Sequence, residues 1–167
     1  MKTKDILPGD VLFVWGNGPI DDAIEIITQG PSHCAIFLDS DTLAEAQAGR
    51  KTGKAYLSNY LAGNVRKLEV WRDETLKDDE RKRIVDYAIK SFGIEYDYLA
   101  ILAELARFEL NIAFDHYREG KRRICSSYVN DCGKSVGRNW AKISYTPAPV
   151  DLLRGGKLTR KGVLKNG

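Results

Sequence analysis

Four short segments in the first half of the chain are predicted to be strands. Residues 11–15 and 34–38 are apolar runs, residues 42–48 follow a tight turn as the hairpin partner of 34–38, and residues 65–71 form a further strand. The Asp-Ser-Asp sequence at 39–41 is typical of a tight turn, so the second and third runs should form a hairpin. We therefore expect a small antiparallel sheet.

Segments with helical periodicity lie between these strands and after them. One helix is predicted to begin at Pro19 and to end before Gly30, and a second to cover residues 73–92. Another apolar-periodic run, with Gly133 at its end, begins at Cys125. The chain after it is expected to be irregular through residues 146–153. The predicted fold class is α+β, with the small sheet packed against helices.

The segment 97–113 reads as a helix that is apolar on most of its circumference. Such helices are usually buried in the protein, and contact with a lipid or a partner protein is the alternative. The segment contains charged residues and is too short to span a bilayer, so no stable membrane insertion is expected. A basic tail begins at about residue 154, and its last dozen residues are expected to be frayed.

Length and composition are those of one globular domain. A chain of 167 residues with 43% hydrophobic and 29% charged residues can bury its own core, so we expect a single domain over residues 1–167. A net charge of +3 is too small to indicate nucleic-acid binding. The first residues have no apolar core and no small-residue cleavage site, which argues against a signal peptide. We expect a cytoplasmic protein that leaves the cell only by lysis or dedicated export.

The three cysteines are expected to be thiols. No C-x-x-C sequence occurs, and the chain has only two histidines, too few ligands for a typical zinc site. Cys125 and Cys132 would lie about 10 Å apart along one helix, beyond disulfide reach. We expect no metal and no cofactor.

Cys125 has the best environment for a reactive thiol. It begins a predicted helix, where unpaired backbone N–H groups favour an anion, and three basic residues at 121–123 precede it. Both features lower a thiol pKa and favour the nucleophilic thiolate. The alternative is an ordinary buried cysteine, since cysteine is among the residues most often buried.

Two histidines compete for the role of base. His33 lies at the start of the predicted strand 34–38, and the hairpin brings Glu45 onto the neighbouring strand, within reach of the second ring nitrogen. Gln47 lies two residues on, on the same strand face, and is the reserve orienting residue. A structural histidine and exposed strand side chains are the alternatives. His116, in a polar loop, is the other candidate base.

Five segments, in order, resemble the permuted NlpC-like, papain-fold cysteine hydrolases (the YiiX/YebB-like group), in which the His motif precedes the Cys motif. They run from about residue 7 to 153. The segments are Leu7-Pro8-Gly9-Asp10-Val11-Leu12, the stretch from Ala23 through Ser32-His33-Cys34 to Leu38, Phe92-Gly93-Ile94-Glu95-Tyr96-Asp97, Ile124-Cys125-Ser126-Ser127-Tyr128-Val129, and Thr146-Pro147 with Asp151-Leu152.

The resemblance implies a permuted papain-like (NlpC-type) fold and assigns roles to individual residues. Cys125 would be the nucleophile, His33 the general base and Glu45 the third polar residue. Tyr96 would help to hold the oxyanion, and the backbone N–H of Cys125 is a second donor if a helix begins there. The chain lacks the Asn-Cys-Glu-His signature of lecithin:retinol acyltransferase-type enzymes.

The expected function is hydrolysis of an amide bond, in a peptide or peptidoglycan-type substrate, through a Cys–acyl intermediate. A lipid or aminoacyl amide or ester, and acyl transfer in place of hydrolysis, are alternatives. A binding module on a papain-like scaffold, docking a partner or lipid through the segment 97–113, is the alternative from another class. A metal-binding regulatory domain is less favoured because ligands are few.

Overall fold

The computed structural model describes residues 1–98, 100–101, 121–143 and 146–166. Within them, six strands form one antiparallel sheet in the order β4-β3-β2-β1-β5-β6. The strands are β1 Val11–Gly16, β2 His33–Phe37, β3 Thr42–Glu45, β4 Gly53–Tyr56, β5 Val65–Arg72 and β6 Thr159–Asn166. The helices are α1 Pro19–Thr28, α2 Leu57–Ala62, α3 Asp78–Lys90, α4 Cys125–Lys134 and α5 Pro149–Arg154, with a short 3-10 helix at Thr3–Asp5. This α+β architecture agrees with the predicted class.

The predicted strands all occur, and the hairpin of β2 and β3 is confirmed. Asp39 closes the turn by accepting backbone hydrogen bonds from Asp41 (2.9 Å) and Thr42 (2.8 Å). β2 and β3 pair antiparallel, with Ile36 opposite Ala44 and Phe37 opposite Leu43. The third run is shorter than predicted because β3 ends at Glu45.

The two faces of the sheet carry different cores. Successive side chains of β2 alternate between them, so Cys34 and Ile36 belong to the larger core and Ala35 and Phe37 to the smaller. Helix α4 packs on the larger face, and its Tyr128 donates a hydrogen bond to the Ala88 carbonyl of α3 (2.7 Å). α4 is therefore held between the sheet and α3.

Buried charges fix the turn before β1. Asp10 has no exposed surface and accepts hydrogen bonds from Arg72 Nε (2.8 Å) and Nη2 (2.7 Å). Arg81 of α3 donates to the Pro8 carbonyl (2.9 Å) and lies 3.5 Å from Asp10. A buried carboxylate is stable only when its oxygens are bonded, and here two guanidinium groups bond them.

The predicted start of α3 is wrong by five residues. The helix begins at Asp78 rather than at 73, because Asp73 uses its carboxylate elsewhere. It accepts hydrogen bonds from the Thr75 backbone N–H (3.0 Å) and from Nε1 of the fully buried Trp140 (3.0 Å). An aspartate bonded to the backbone two residues on favours a turn over a helix.

The prediction of a frayed basic C-terminus is also wrong. Residues Thr159–Asn166 form β6, which pairs with β5 along its length. Basic side chains on this strand meet acidic partners, with Arg160 3.0 Å from Glu69 and Lys161 2.6 Å from Glu74. Backbone pairing and ion pairs hold this edge strand, and neither leaves a hydrophobic pattern in the sequence.

Three further elements differ from expectation. Residues 53–62, which carried no predicted element, contain β4 and α2, and α5 replaces part of the irregular stretch at 146–153. Of the predicted helix 97–113, Asp97 precedes the helix and accepts a hydrogen bond from the Ala100 N–H (3.2 Å), Tyr98, Ala100 and Ile101 are helical, and the rest lies outside the described residues. No helix in the part of the chain that the structure describes is long and apolar enough to cross a membrane.

We predict that Gly155→Ala destabilises the protein, because α5 ends against the backbone at Trp140. A Cβ on Gly155 would lie 1.6 Å from the Trp140 carbonyl oxygen and 2.8 Å from its carbonyl carbon. Overpacking of this kind costs about 1–3 kcal/mol or more. The free energy of unfolding is measured by urea denaturation.

Gly53→Ala is the matched control, since its new Cβ would meet nothing closer than the Lys51 carbonyl oxygen at 3.8 Å. It should change stability by no more than about 0.5 kcal/mol. Equal stability of the two variants would contradict the placement of α5 against Trp140.

Candidate active site

Cys125 is the first residue of α4 and is 5% exposed. Ser127, in the same turn, accepts a hydrogen bond from the Ile124 backbone N–H (3.1 Å), which caps the helix start. Ser126 donates to the Pro147 carbonyl (2.5 Å) and so ties this turn to the segment before α5. The predicted helix start is confirmed, and the sulfur sits where unpaired N–H groups favour an anion.

His33 is the first residue of β2 and interacts with both predicted partners. Its Nε2 lies 3.0 Å from Glu45 Oε2, and its charge lowers the pKa of Cys125. Because Nε2 bonds Glu45, Nδ1 is the nitrogen left for the sulfur. The structure therefore brings together Cys125, His33 and Glu45, as predicted from the sequence.

Glu45 is the buried orienting residue, and Tyr60 supports it. Glu45 is 6% exposed, so the alternative of a solvated edge charge is wrong. The Tyr60 hydroxyl donates a hydrogen bond to the same carboxylate oxygen that binds His33, and its ring stacks on the imidazole at 6.2 Å between centroids. Tyr60 was not among the predicted site residues, because α2, which carries it, was not predicted.

Cys34 is the second residue that sequence reasoning missed. It is fully buried in the same core as Cys125, and it has the largest effect in lowering the pKa of the Cys125 thiol. The available signal was strand alternation, which directs Cys34 towards the face that α4 covers.

The buried Cys125, His33 and Glu45 stabilise one another as ions. Cys34 has the largest effect in holding the pKa of Cys125 well below its usual range, and the charge of His33 adds to it against the opposing effect of burial. Burial alone would lower the pKa of His33, but Cys125 and Glu45 raise that pKa to about 10. The pKa of Glu45 is lowered, since bonds from His33 and Tyr60 outweigh its burial. These pKa directions favour a thiolate–imidazolium pair beside a carboxylate.

The basic residues before Cys125 do not have the predicted role. Arg122 lies 3.3 Å from Glu95, and Arg123 lies 2.7 Å from Asp131. Their charges are compensated by these carboxylates. The groups that stabilise the thiolate come instead from β2.

A small, mainly apolar cavity opens beside Cys125. Tyr96, predicted to contact the oxyanion, lines it and is 9% exposed. Thr28 also lines it, with its hydroxyl buried and unbonded among the described residues. The apolar lining consists of Ile24, Ile101, Ile124 and Pro149. The cavity volume of about 30 Å³ leaves room for a methyl-sized group or a water molecule.

Gln47 lies outside the hydrogen-bonded group of Cys125, His33 and Glu45. It is exposed, on the segment after β3, and lines a second cavity together with Glu45, Arg50 and Tyr60. Glu45, not Gln47, orients the imidazole. Gln47 is therefore not the residue that orients His33. A contact between Gln47 and the substrate remains a prediction. His116 lies outside the described residues.

The described residues include no group of three or more His, Cys, Asp or Glu side chains placed to hold a metal ion. Cys34, Cys125 and Cys132 are not disulfide-bonded.

Comparison with known proteins gives a structural match only. No family model matches the sequence, and no curated protein matches it. Among solved structures, a crystal structure described as metalloprotein yiiX from Escherichia coli O157:H7 superposes with a TM-score of 0.69. The match covers 95% of this chain and 97% of that one at 15% identity, so the two share a fold.

We predict that the Cys125–His33 ion pair makes the free energy of unfolding independent of pH between about 6.5 and 8.5. With unfolded pKa values of about 6.5 for His and about 8.5 for Cys, folding below pH 6.5 releases the Cys125 proton, so stability rises with pH. Between about 6.5 and 8.5 no net proton is exchanged. Above that range the folded state retains the His33 proton, whose pKa is about 10, and stability falls with rising pH.

The measurement is the free energy of unfolding from pH 5 to 10 for the wild type and for Cys125→Ser, which cannot form a thiolate. The difference between them should be flat near neutral pH and should change by at most about 1.4 kcal/mol per pH unit on either side. A difference independent of pH would show that the site holds a neutral thiol and imidazole.

Proposed function

We propose that this protein is a cysteine hydrolase with a permuted papain-like, NlpC-type fold, which cleaves an amide bond through a Cys125–acyl intermediate. The observation that carries the proposal is the buried Cys125–His33–Glu45 arrangement at the N-terminus of α4. A nucleophile, a base hydrogen-bonded to it and a residue that orients the base form a triad. The His-before-Cys order of the chain supports the permuted form.

The first half of the reaction uses the charges already present. The Cys125 thiolate attacks the carbonyl carbon, and the carbonyl oxygen becomes an oxyanion. The N–H of Cys125, in the first turn of α4, is suited to bind it, and Tyr96 in the adjoining cavity is the candidate second donor. The His33 imidazolium then donates its proton to the leaving nitrogen, and a thioester remains on Cys125.

The second half returns the enzyme to its starting state. Neutral His33 accepts a proton from water, which attacks the thioester and releases the acid and the thiolate. Glu45 stabilises the imidazolium whenever His33 carries the proton. An alcohol or amine in place of water would give acyl transfer by the same steps.

The substrate we favour is a peptide or peptidoglycan-type amide with a small apolar group next to the scissile bond. The apolar side of the cavity would take this group, and the unbonded Thr28 hydroxyl would bond a polar atom beside it. A lipid or aminoacyl amide or ester also has this combination of groups, so the test includes both kinds of substrate.

We predict that an acyl-enzyme can be trapped on Cys125. The protein is incubated with N-acyl peptides, peptidoglycan fragments, and lipid amides and esters, and is then quenched in acid for intact mass spectrometry. A substrate should add the mass of its acyl part, mapped to Cys125. The adduct should be absent in Cys125→Ala and present in Cys132→Ser, whose thiol is buried further along α4.

Thiol reactivity separates an enzyme from a binding module. Iodoacetamide should label Cys125 ahead of Cys132 at neutral pH, since burial raises the pKa of Cys132. Equal labelling together with no adduct from any substrate class would refute the hydrolase and favour a binding module.

We predict that Glu45→Gln slows turnover by about 10- to 150-fold, because a hydrogen bond to a charged group is worth about 1.5–3 kcal/mol. Tyr60→Phe should cost less, since the bond between Glu45 and His33 remains. The readout is kcat per folded molecule on a substrate found by acyl-enzyme trapping.

The double variant Cys125→Ala/Glu45→Gln should be no slower than Cys125→Ala, because members of one catalytic unit do not act additively. The opposite pattern, in which Glu45→Gln lowers the Tm by several degrees and leaves kcat unchanged, would make Glu45 a structural residue.

A further inference from the structure

Another cavity of the protein carries positive charge that the neighbouring side chains do not neutralise. This basic cavity has a volume of about 290 Å³ and is lined by the loop 49–51, by Glu95, Tyr96 and Tyr98, and by Arg122. The carboxylate in this lining, Glu95, pairs with Arg122 at 3.3 Å. Two exposed cations of the loop, Arg50 and Lys51, form no ion pair with any residue that the structure describes.

Arg50 differs in this respect from the other arginines. Every other arginine in the described ranges bonds a carboxylate or a backbone carbonyl oxygen. The guanidinium of Arg50 has no such partner among those residues. A guanidinium presents its donors in a planar fork that fits a carboxylate or a phosphate. The Arg50 fork is therefore available to an anionic group of a ligand.

The loop that carries the two unpaired cations is held in place on both sides. Before them, the Gly49 N–H donates to the Tyr98 hydroxyl (2.6 Å), and Gly49 has a left-handed φ of 79°. After them, the Thr52 N–H donates to the Ile94 carbonyl (2.8 Å), and the Thr52 carbonyl accepts from the Gly93 N–H (2.9 Å). Cations on a backbone that is already ordered lose less freedom when they bind an anion.

The basic cavity lies next to the candidate nucleophile. Tyr96 lines both the basic cavity and the cavity at Cys125. Its segment is bonded to the residues just before α4, since the Arg123 N–H donates to the Glu95 carbonyl (3.0 Å). Arg122 is three residues before Cys125, so the Cα atoms of these two residues are at most about 11 Å apart. A substrate bound at Cys125 can therefore reach the basic cavity with a group about one to three residues from its scissile bond.

We propose that Arg50 and Lys51 bind an anionic group of the substrate, a carboxylate or a phosphate, within about three residues of the scissile amide. This inference rests on the proposed function and deepens it, because it names the charge that a substrate of Cys125 carries. Binding of a group remote from the scissile bond holds the amide in position for attack by the thiolate. Arg50 and Lys51 are then specificity-determining residues, which favour an anionic substrate over its neutral counterpart.

The test uses thiol reagents that are paired by charge, each as its α-amide. N-iodoacetyl-glutamate is compared with N-iodoacetyl-glutamine, and N-iodoacetyl-phosphoserine with N-iodoacetyl-serine, on the full-length protein at neutral pH. The readout is the second-order rate constant for alkylation of Cys125, mapped by mass spectrometry. The wild type should react faster with the charged member of at least one pair, and the pair identifies the anion as carboxylate or phosphate. The preference should disappear in about 1 M sodium chloride, in which the screening length is about 3 Å.

Arg50→Gln and Lys51→Gln should each reduce the preference about three- to fivefold, which is the size of an exposed ion pair. Lys4→Gln is the matched control and should keep the preference, since Lys4 is also an exposed cation but lies outside the lining of both cavities. Equal rates within both reagent pairs for the wild type would overturn the proposal. The same loss of preference in Lys4→Gln as in Arg50→Gln would also overturn it.

A titration that does not depend on the thiol separates this proposal from the hydrolase. The ¹⁵N-labelled wild-type protein is titrated with the N-acetyl forms of the same compounds and followed by NMR. The backbone amide resonances of residues 49–51 should shift with a charged compound and not with its neutral counterpart, and Arg50→Gln should weaken the binding about three- to fivefold.

The two sets of results fail independently. Charge-dependent shifts without alkylation of Cys125 and without any acyl-enzyme would retain the anion site and refute the hydrolase. An acyl-enzyme on Cys125 without these shifts and without a charge preference would retain the hydrolase and refute the anion site.

Discussion

The packing of α4 across the start of β2 is the contact on which the candidate site depends. It buries Cys125 against His33 and Cys34, two consecutive residues of one strand. Two of the bonds that hold the helix in place are those from Ser126 to the Pro147 carbonyl at its start and from Tyr128 to the Ala88 carbonyl of α3. A shift of the helix by one residue would rotate it by about 100° and turn the sulfur away from the imidazole.

Burial determines which charges the site can hold. A buried thiolate, imidazolium or carboxylate is costly alone, so each must be matched by an opposite charge or a hydrogen-bond donor. His33 interacts with both anions, the Tyr60 hydroxyl donates to Glu45, and Cys34 lowers the pKa of Cys125. These partners explain why a group with two anions and one cation is stable beneath the surface. The site is arranged around its charged state, which is the state that a nucleophile requires.

The part of this site that could be predicted is the part encoded by local patterns. The Asp39 turn and two alternating runs place Glu45 beside His33, and a helical run begins at Cys125. Tyr60 could not be predicted, because a two-turn helix has too few residues to show a period. Strand β6 could not be predicted for a different reason. It pairs with β5, some ninety residues away in sequence, through backbone and ionic contacts. Pairing over such distances depends on the assembled sheet and not on the local pattern.

The start of β2 shows how the end of a strand differs from its middle. The backbone ladder between β2 and β3 covers only Ile36 and Phe37 of β2, so His33 and Cys34 have no ladder partner in β3. The side chain of Glu45 reaches His33 from the end of β3, and α4 packs against β2. Cys34 and His33 both lower the pKa of Cys125, although neighbouring side chains on a strand point to opposite faces. The same open strand end therefore supplies the base for the proposed hydrolysis.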